Sequence, residues 1–143
     1  MLLPDVNVLV HAFREDAPRH TRARSWLEGL VYSDHAFALS DLVLSGFLRV
    51  VTHPRVFHPP TPLGKALEFA EAIRSQPNAV VVGPGERHWS IFQRLCRDAD
   101  ARGNLVPDAY IAALAIESGS ELVTLDRDFS RFAGLRWKPP SEG

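Results

Sequence analysis

The chain opens MLLPDVNVLV, with Asp5 set inside a run that is otherwise leucine and valine. An ionised carboxylate in an apolar interior is costly by several kcal/mol unless it is paired or bound to a metal. Asp5 therefore needs a partner, and a buried ion pair with an arginine is the plain structural choice. Three further aspartates stand where α/β proteins place chemistry. Asp108 lies in the first turn of an apolar helix, where the dipole favours a negative charge. Asp126 ends the stretch ELVTLD, at the carboxyl end of a strand, and Asp128 follows it in the same loop. Asp108 beside Pro107 also reads as a routine helix-start residue, and Asp126 before Arg127 as a turn former. If these carboxylates meet, electrostatics is decisive. Two charges about 4 Å apart repel by roughly 4 kcal/mol at an effective dielectric near 20, so a cluster requires a cation or a proton. A hard divalent ion, Mg²⁺ or Mn²⁺, suits an all-oxygen set and leaves room for a substrate phosphate. The histidines offer no rival set: His53 and His58 fall in a proline-rich loop, and His11, His20, His35 and His88 are scattered.

The elements that must position these residues follow from hydrophobic spacing. The apolar run over 2–10 predicts a buried strand. DAPRHTRARSWLEGL predicts a helix, with Asp16 as cap, Pro18 near its first turn, and Ala23, Trp26, Leu27 and Leu30 on its inner face. AFALS is a short strand. SDLVLSGFLRVVTHP is a helix capped by Ser40 and stopped before Pro54, with Leu42, Val43, Phe47 and Val50 or Val51 inward. Thr61-Pro62 starts a helix running to about Arg74. AVVVGP reads as a compact buried strand ended by Gly83-Pro84. GERHWSIFQRLCRDADARG is an amphipathic helix with Trp89, Phe92 and Leu95 facing in. An apolar helix starts at Pro107 and closes at Gly119. The strand ELVTLD, a short turn or helix in RDFSRFAG and a last edge strand at LRWKP complete the chain. Strands alternating with helices argue for α/β architecture around a mostly parallel sheet, whose covered faces explain strands written as continuous apolar runs.

Composition narrows the function classes. At 143 residues the chain fits one domain, and no apolar stretch approaches membrane-spanning length. The N-terminus lacks a basic region before its apolar run, which argues against a signal peptide. One cysteine, Cys96, excludes an intrachain disulfide and any cysteine-cluster metal site, and a reducing cytoplasm is the expected home. The formal net charge is −1, so no global field advertises a polyanionic partner. Fourteen arginines against two lysines, Lys65 and Lys138, suit phosphate recognition, although codon usage in a GC-rich genome explains the bias as simply.

Four stretches in order, LLPDVNVLV, LSGFLRVVTHPRVF, GNLVPDAYIAALAIESG and LVTLDRDFSRFAGLRW, resemble the PIN domain, in particular the VapC toxins of bacterial toxin–antitoxin pairs. They run from one end of the chain to the other. The resemblance implies a three-layer α/β sandwich, with a mostly parallel central sheet flanked by helices, in a single domain over 1–143. It implies an endoribonuclease dependent on Mg²⁺ or Mn²⁺, a homodimer, and inhibition by a VapB-type antitoxin. Residue by residue, Asp5, Asp108 and Asp126 match the family's acidic positions as catalytic and metal-holding residues, and Asp128 is an additional acidic metal candidate. Asn7 matches the polar position after the first aspartate, and it can equally serve the loop as a local hydrogen-bonding group. Arg102, Arg127 and Arg131 are candidate contacts to the RNA backbone.

One departure stands out. Many family members carry a glutamate inside the helix where this chain reads Ser45-Gly46-Phe47-Leu48-Arg49. A helix-interior glycine costs about 1 kcal/mol relative to alanine, which implies that something packs against it. The missing charge leaves open one metal or two, and leaves open a PIN-fold module that binds RNA or an antitoxin without cutting. Asp41, more than a turn earlier, reads equally as a helix-start residue or a substitute carboxylate. An aspartyl-phosphate enzyme is a weaker rival, since such sites want a lysine near the phosphate and only two lysines exist.

Overall fold

The computed structural model describes residues 1–141. The chain runs β1 (Leu2–Pro4), α1 (Val6–Phe13), α2 (His20–Val31), β2 (Phe37–Leu39), α3 (Asp41–Val51) and α4 (Leu63–Arg74). It continues β3 (Ala79–Val81), α5 (His88–Asp98), α6 (Leu105–Ser118), β4 (Glu121–Val123), a 3₁₀ turn at Arg127–Arg131, and β5 (Trp137–Lys138). Every strand pairing is parallel: β1 with β4, β4 with β5, and β2 with β3. β2 also lies beside β1, without a continuous ladder between them, so the strands follow in space as β3, β2, β1, β4, β5. Parallel neighbours need crossover connections, and the helices supply them. They pack chiefly in two sets, α1 through α4 in one and α5 with α6 in the other. This is the α/β sandwich expected from the sequence. Among the described residues no helix is long and apolar enough to cross a membrane.

Several expected elements differ in extent. The strand expected over 2–10 ends at Pro4, and the backbone turns at Asp5 into α1. VNVLV reads as a buried strand because a helix buried on most of its circumference loses its polar stripe, and hence its periodicity. Val8, Leu9, Val10 and Ala12 of α1 are all buried. α2 starts at His20 without a side-chain cap, because Asp16 is held by Arg14 at 2.7 Å. β3 is an edge strand, with Val80 and Val81 each more than 40% exposed rather than buried. Trp89 and Leu42 likewise face solvent, and the buried residues of α5 are His88 and Leu95. α6 begins at Leu105, so Pro107 sits within its first turn, and Gly119 closes it with φ of 69°, in the left-handed region. Ser40 caps α3 as expected, accepting from the Leu42 amide.

The core that fixes the helices near β1 is aromatic. Phe13, Phe47 and Phe69, from α1, α3 and α4, meet with ring centroids 4.8–5.5 Å apart. Beside them α3 crosses α1 at close range: a Cβ on Gly46 would stand 2.8 Å from Cγ2 of Val6. The glycine is there for packing. Val6 is β-branched and stiff at χ1, so it cannot easily rotate away. Gly46→Ala should therefore lower stability by about 1 kcal/mol, its helix-propensity gain notwithstanding, and adding Val6→Ala should recover the loss. Chemical denaturation of the three chains measures it; a Gly46→Ala chain more stable than the parent would show that the two helices yield freely.

Candidate metal centre and acidic cleft

The β1–β4 ladder assembles the site. Pro4 stands opposite Val123, and the Asp5 amide extends the pairing by donating to the Val123 carbonyl at 2.9 Å. Residues 5 and 124–128 are thereby brought to the same carboxyl edge of the sheet, where open α/β folds collect ligands. Asp5 is 5% exposed. Its partner is no arginine. Oδ1 accepts from the Val6 amide at 2.7 Å, capping α1, and Oδ2 accepts from Thr124 Oγ1 at 2.8 Å. Thr124 is fully buried, and its hydroxyl oxygen also accepts from Asn7 Nδ2 at 3.3 Å and from the Asp126 amide at 3.0 Å. Asn7 Oδ1 takes the Leu125 amide at 3.1 Å, and Asp126 Oδ1 takes the Asp128 amide at 2.9 Å. Both ends of the Asn7 amide thus serve the loop.

Asp5, Asp108 and Asp126 line one cleft of about 530 Å³, with Asn7, Gly46 and Arg49 among its other walls. Asp108 comes from the first turn of α6 and is half-buried. Burial pushes its carboxyl up to about 6, helped by the charges of Asp5, Asp126 and then Asp128. Burial also raises Asp5; its hydrogen bonds from Thr124 and Val6 oppose that rise, and the Asp126 charge adds to it. Negative charge is thus crowded here: Arg49 lines the same cleft, yet among the described residues none of Asp5, Asp108 and Asp126 has an ion-pair partner. The donors are all oxygen, the chemistry of Mg²⁺ and Mn²⁺. Among the described residues no three Asp, Glu, His or Cys side chains converge closely enough to ligate one ion alone. A Mg²⁺-like ion needs no closed cluster, since it is commonly held by one or two carboxylates and keeps its waters. Each Asp5 oxygen accepts one hydrogen bond, leaving lone pairs free.

The remaining expected residues fall elsewhere. Asp128 is exposed beyond the cleft wall, although its charge reaches Asp108. Asp41 pairs with Arg74 of α4 at 2.9 Å and does not join the acidic group. None of Arg102, Arg127 and Arg131 lines the cleft. Arg102 pairs with Asp100 at 3.0 Å, Arg131 is exposed at the end of the 3₁₀ turn, and Arg127 lines a separate pocket. The sequence reading missed Thr124 and Arg49. A hydroxyl inside the apolar strand LVTLD was a signal for the first. The second sits three residues after Gly46, on the same helix face.

Comparison with known proteins agrees with this architecture. A family model described as PIN domain matches residues 2–135. The chain is 44% identical over 141 residues to Ribonuclease VapC25 of Mycobacterium tuberculosis, covering 98% of this chain and 99% of that protein. It is 46% identical over 143 residues to VapC ribonuclease Mb2897 of Mycobacterium bovis, covering 100% and 97%. Among solved structures, VapBC2 from Rickettsia felis bound to a DNA fragment from their promoter matches with a TM-score of 0.72 at 18% identity, over 98% of each chain. Mycobacterium tuberculosis VapC20, a Sarcin-Ricin loop cleaving toxin, matches with a TM-score of 0.67 at 19% identity, over 94% of this chain and 96% of that one. These two likenesses bear on the fold.

Two outcomes follow from the crowded charge. The folded state holds a proton on Asp108 up to about pH 6, whereas an unfolded aspartate releases it near its ordinary value of 3.8. In chelator, stability should thus fall as pH rises through about 4–6, because the folded state binds more protons there. Asp108→Asn should be the more stable chain at pH 7.5, by on the order of 1–2 kcal/mol after solvent screening, and should lose that advantage below pH 4. Melting curves across pH decide it; a less stable variant at pH 7.5 would make Asp108 a structural partner. Thr124→Val removes the hydroxyl from Asp5 and should cost about 2 kcal/mol in chemical denaturation, with Thr124→Ser largely restored.

Proposed function

The chain belongs to the PIN-domain family, with VapC ribonucleases among its relatives, and on that premise we propose that it is an endoribonuclease, the toxin of a VapBC-type pair. The observation that carries the proposal is the acidic cleft: carboxylates from the β1–α1 junction, α6 and the loop after β4 line it together at the carboxyl edge of a parallel sheet. The chain acts as one PIN domain. Asp5 and Asp108 would hold a divalent cation, with Asp126 as a further ligand and Asp128 adding charge from outside the cleft. Mg²⁺ or Mn²⁺, when bound, supplies Lewis acidity toward the phosphodiester. Asp5 is fixed through both oxygens and keeps its place as charge changes around it. Thr124 and Asn7 are positioning residues, holding the Asp126 loop against Asp5. Arg49 looks into the cleft from α3 and is placed to meet a phosphate oxygen. The reaction is in-line hydrolysis: water adds to phosphorus and the P–O3′ bond breaks, leaving a 5′-phosphate and a 3′-hydroxyl.

The partners follow from the same charge. RNA would present a backbone phosphate to the cleft lined by Asp5, Asp108 and Asp126. A VapB-type antitoxin blocks the cleft with a basic side chain that satisfies the carboxylates in the cation's place. The toxin itself is a homodimer.

Asp5→Asn and Asp108→Asn should each reduce RNA cleavage by about a thousand-fold or more, and chelator should abolish it in the parent. Gel assays on structured and single-stranded RNA with Mg²⁺ or Mn²⁺ measure this. RNA that the parent binds but leaves intact in both metals would favour the non-cleaving module, to which the missing glutamate at Gly46 is the pointer.

A further inference from the structure

A second pocket, of about 330 Å³, lies between the start of α2 and the far side of the loop after β4. Its walls include Arg19, Arg22 and Arg127 together with Trp137. Among the described residues none of these three arginines has a carboxylate within ion-pair reach. Arg14, Arg24, Arg74, Arg94 and Arg102 each have one. Arg22 is half-buried, and its Nε donates to the Pro140 carbonyl at 2.8 Å, which fixes the guanidinium without neutralising it. Three guanidinium groups with no ion-pair partner among the described residues surround one concavity and repel one another, and an anion relieves that repulsion. Their planar forks match phosphate oxygens, and Trp137, an aromatic residue on which a base can stack, lines the same pocket.

The pocket is next to the acidic cleft. Thr124, Leu125 and Arg127 line the basic pocket, while Asp126, between them in the chain, lines the cleft. Thr124 also carries the hydroxyl that holds Asp5. One loop thus separates a site that needs a cation from a site that needs an anion. We propose that the Arg19–Arg22–Arg127 pocket binds a backbone phosphate of the RNA strand, flanking the phosphate that is cut, with Trp137 against the adjoining nucleotide. The proposal rests on the ribonuclease reading above. It accounts for how a polyanion is retained beside four aspartates that repel it: a flanking phosphate is anchored across the loop, and only the scissile one faces the carboxylates.

The test uses the full chain carrying Arg19→Ala with Arg127→Ala, both exposed positions, and Arg24→Ala as a control on the same helix. The probe is a short fluorescent single-stranded RNA, titrated in chelator over a range of salt and then cleaved with Mg²⁺. The double variant should bind about ten-fold more weakly, with a log–log salt dependence shallower by about one. Its KM should rise about ten-fold with kcat unchanged, and the control should match the parent. Parent-like affinity and salt dependence in a double variant, alongside a parent that cuts RNA, would overturn the pocket and leave the active site standing. A fall in kcat at constant KM would also overturn it, since the arginines would then act at the reacting phosphate. A parent that neither binds nor cuts RNA would overturn the ribonuclease reading first and this pocket with it.

Discussion

The hydrogen bond from Thr124 to Asp5, made across the parallel pair β1 and β4, holds the rest of the site together. The ladder brings residues 119 positions apart in the chain to 2.8 Å, at the strand edge where both backbones turn outward. Asp5 is then committed three ways: its amide continues the ladder, one oxygen caps α1, and the other takes the threonine hydroxyl. The same hydroxyl oxygen receives Asn7 and the Asp126 amide, so α1, β4 and the acidic loop share one buried junction. Buried polar groups joined in this way rigidify their surroundings, because breaking any one bond leaves its partners unsatisfied in a low dielectric.

That junction fixes Asp5 and the Asp126 loop, and α6 brings Asp108 beside them, in a place that disfavours their charge. Burial and mutual repulsion raise Asp5 and Asp108, and hydrogen bonds only partly compensate at Asp5. The strained electrostatics are local. Elsewhere some acids pair with arginines near the surface, as Asp16 does with Arg14 and Asp41 with Arg74, where each pair adds little stability. Acids with raised carboxyls gathered in one cleft are what marks this edge of the sheet as the candidate site.

The departure at Gly46 has a steric reading as well as an electrostatic one. The residue lines the cleft, yet the space its side chain would need is filled by Val6, the first residue of the helix that Asp5 caps. Helices α1 and α3 approach closely enough here that backbone and methyl groups replace what would be a side chain. Arg49, one turn on, then gives this face of the cleft a positive group. The wall opposite Asp5 is thus apolar and basic in this chain.

Local chemistry was legible in the sequence: the alternation of strands with helices, the Ser40 cap, the Gly119 closure, and the acidic residues Asp5, Asp108 and Asp126 that the cleft does bring together. Each depends on a residue type and its near neighbours, which are what a sequence records. The end of β1 was not legible, since a fully buried helix and a buried strand write the same apolar run, and only the cap geometry at Asp5 separates them. Exposure of Trp89, Val80 and Val81 was decided by position at the edge of the packing. The tertiary structure alone decided the partner of Asp5, the opposing of Gly46 and Val6, and the sorting of arginines between cleft and pocket. These are contacts between segments far apart in the chain, and their distances are set by the ladder and the packing of whole helices, which no local pattern encodes.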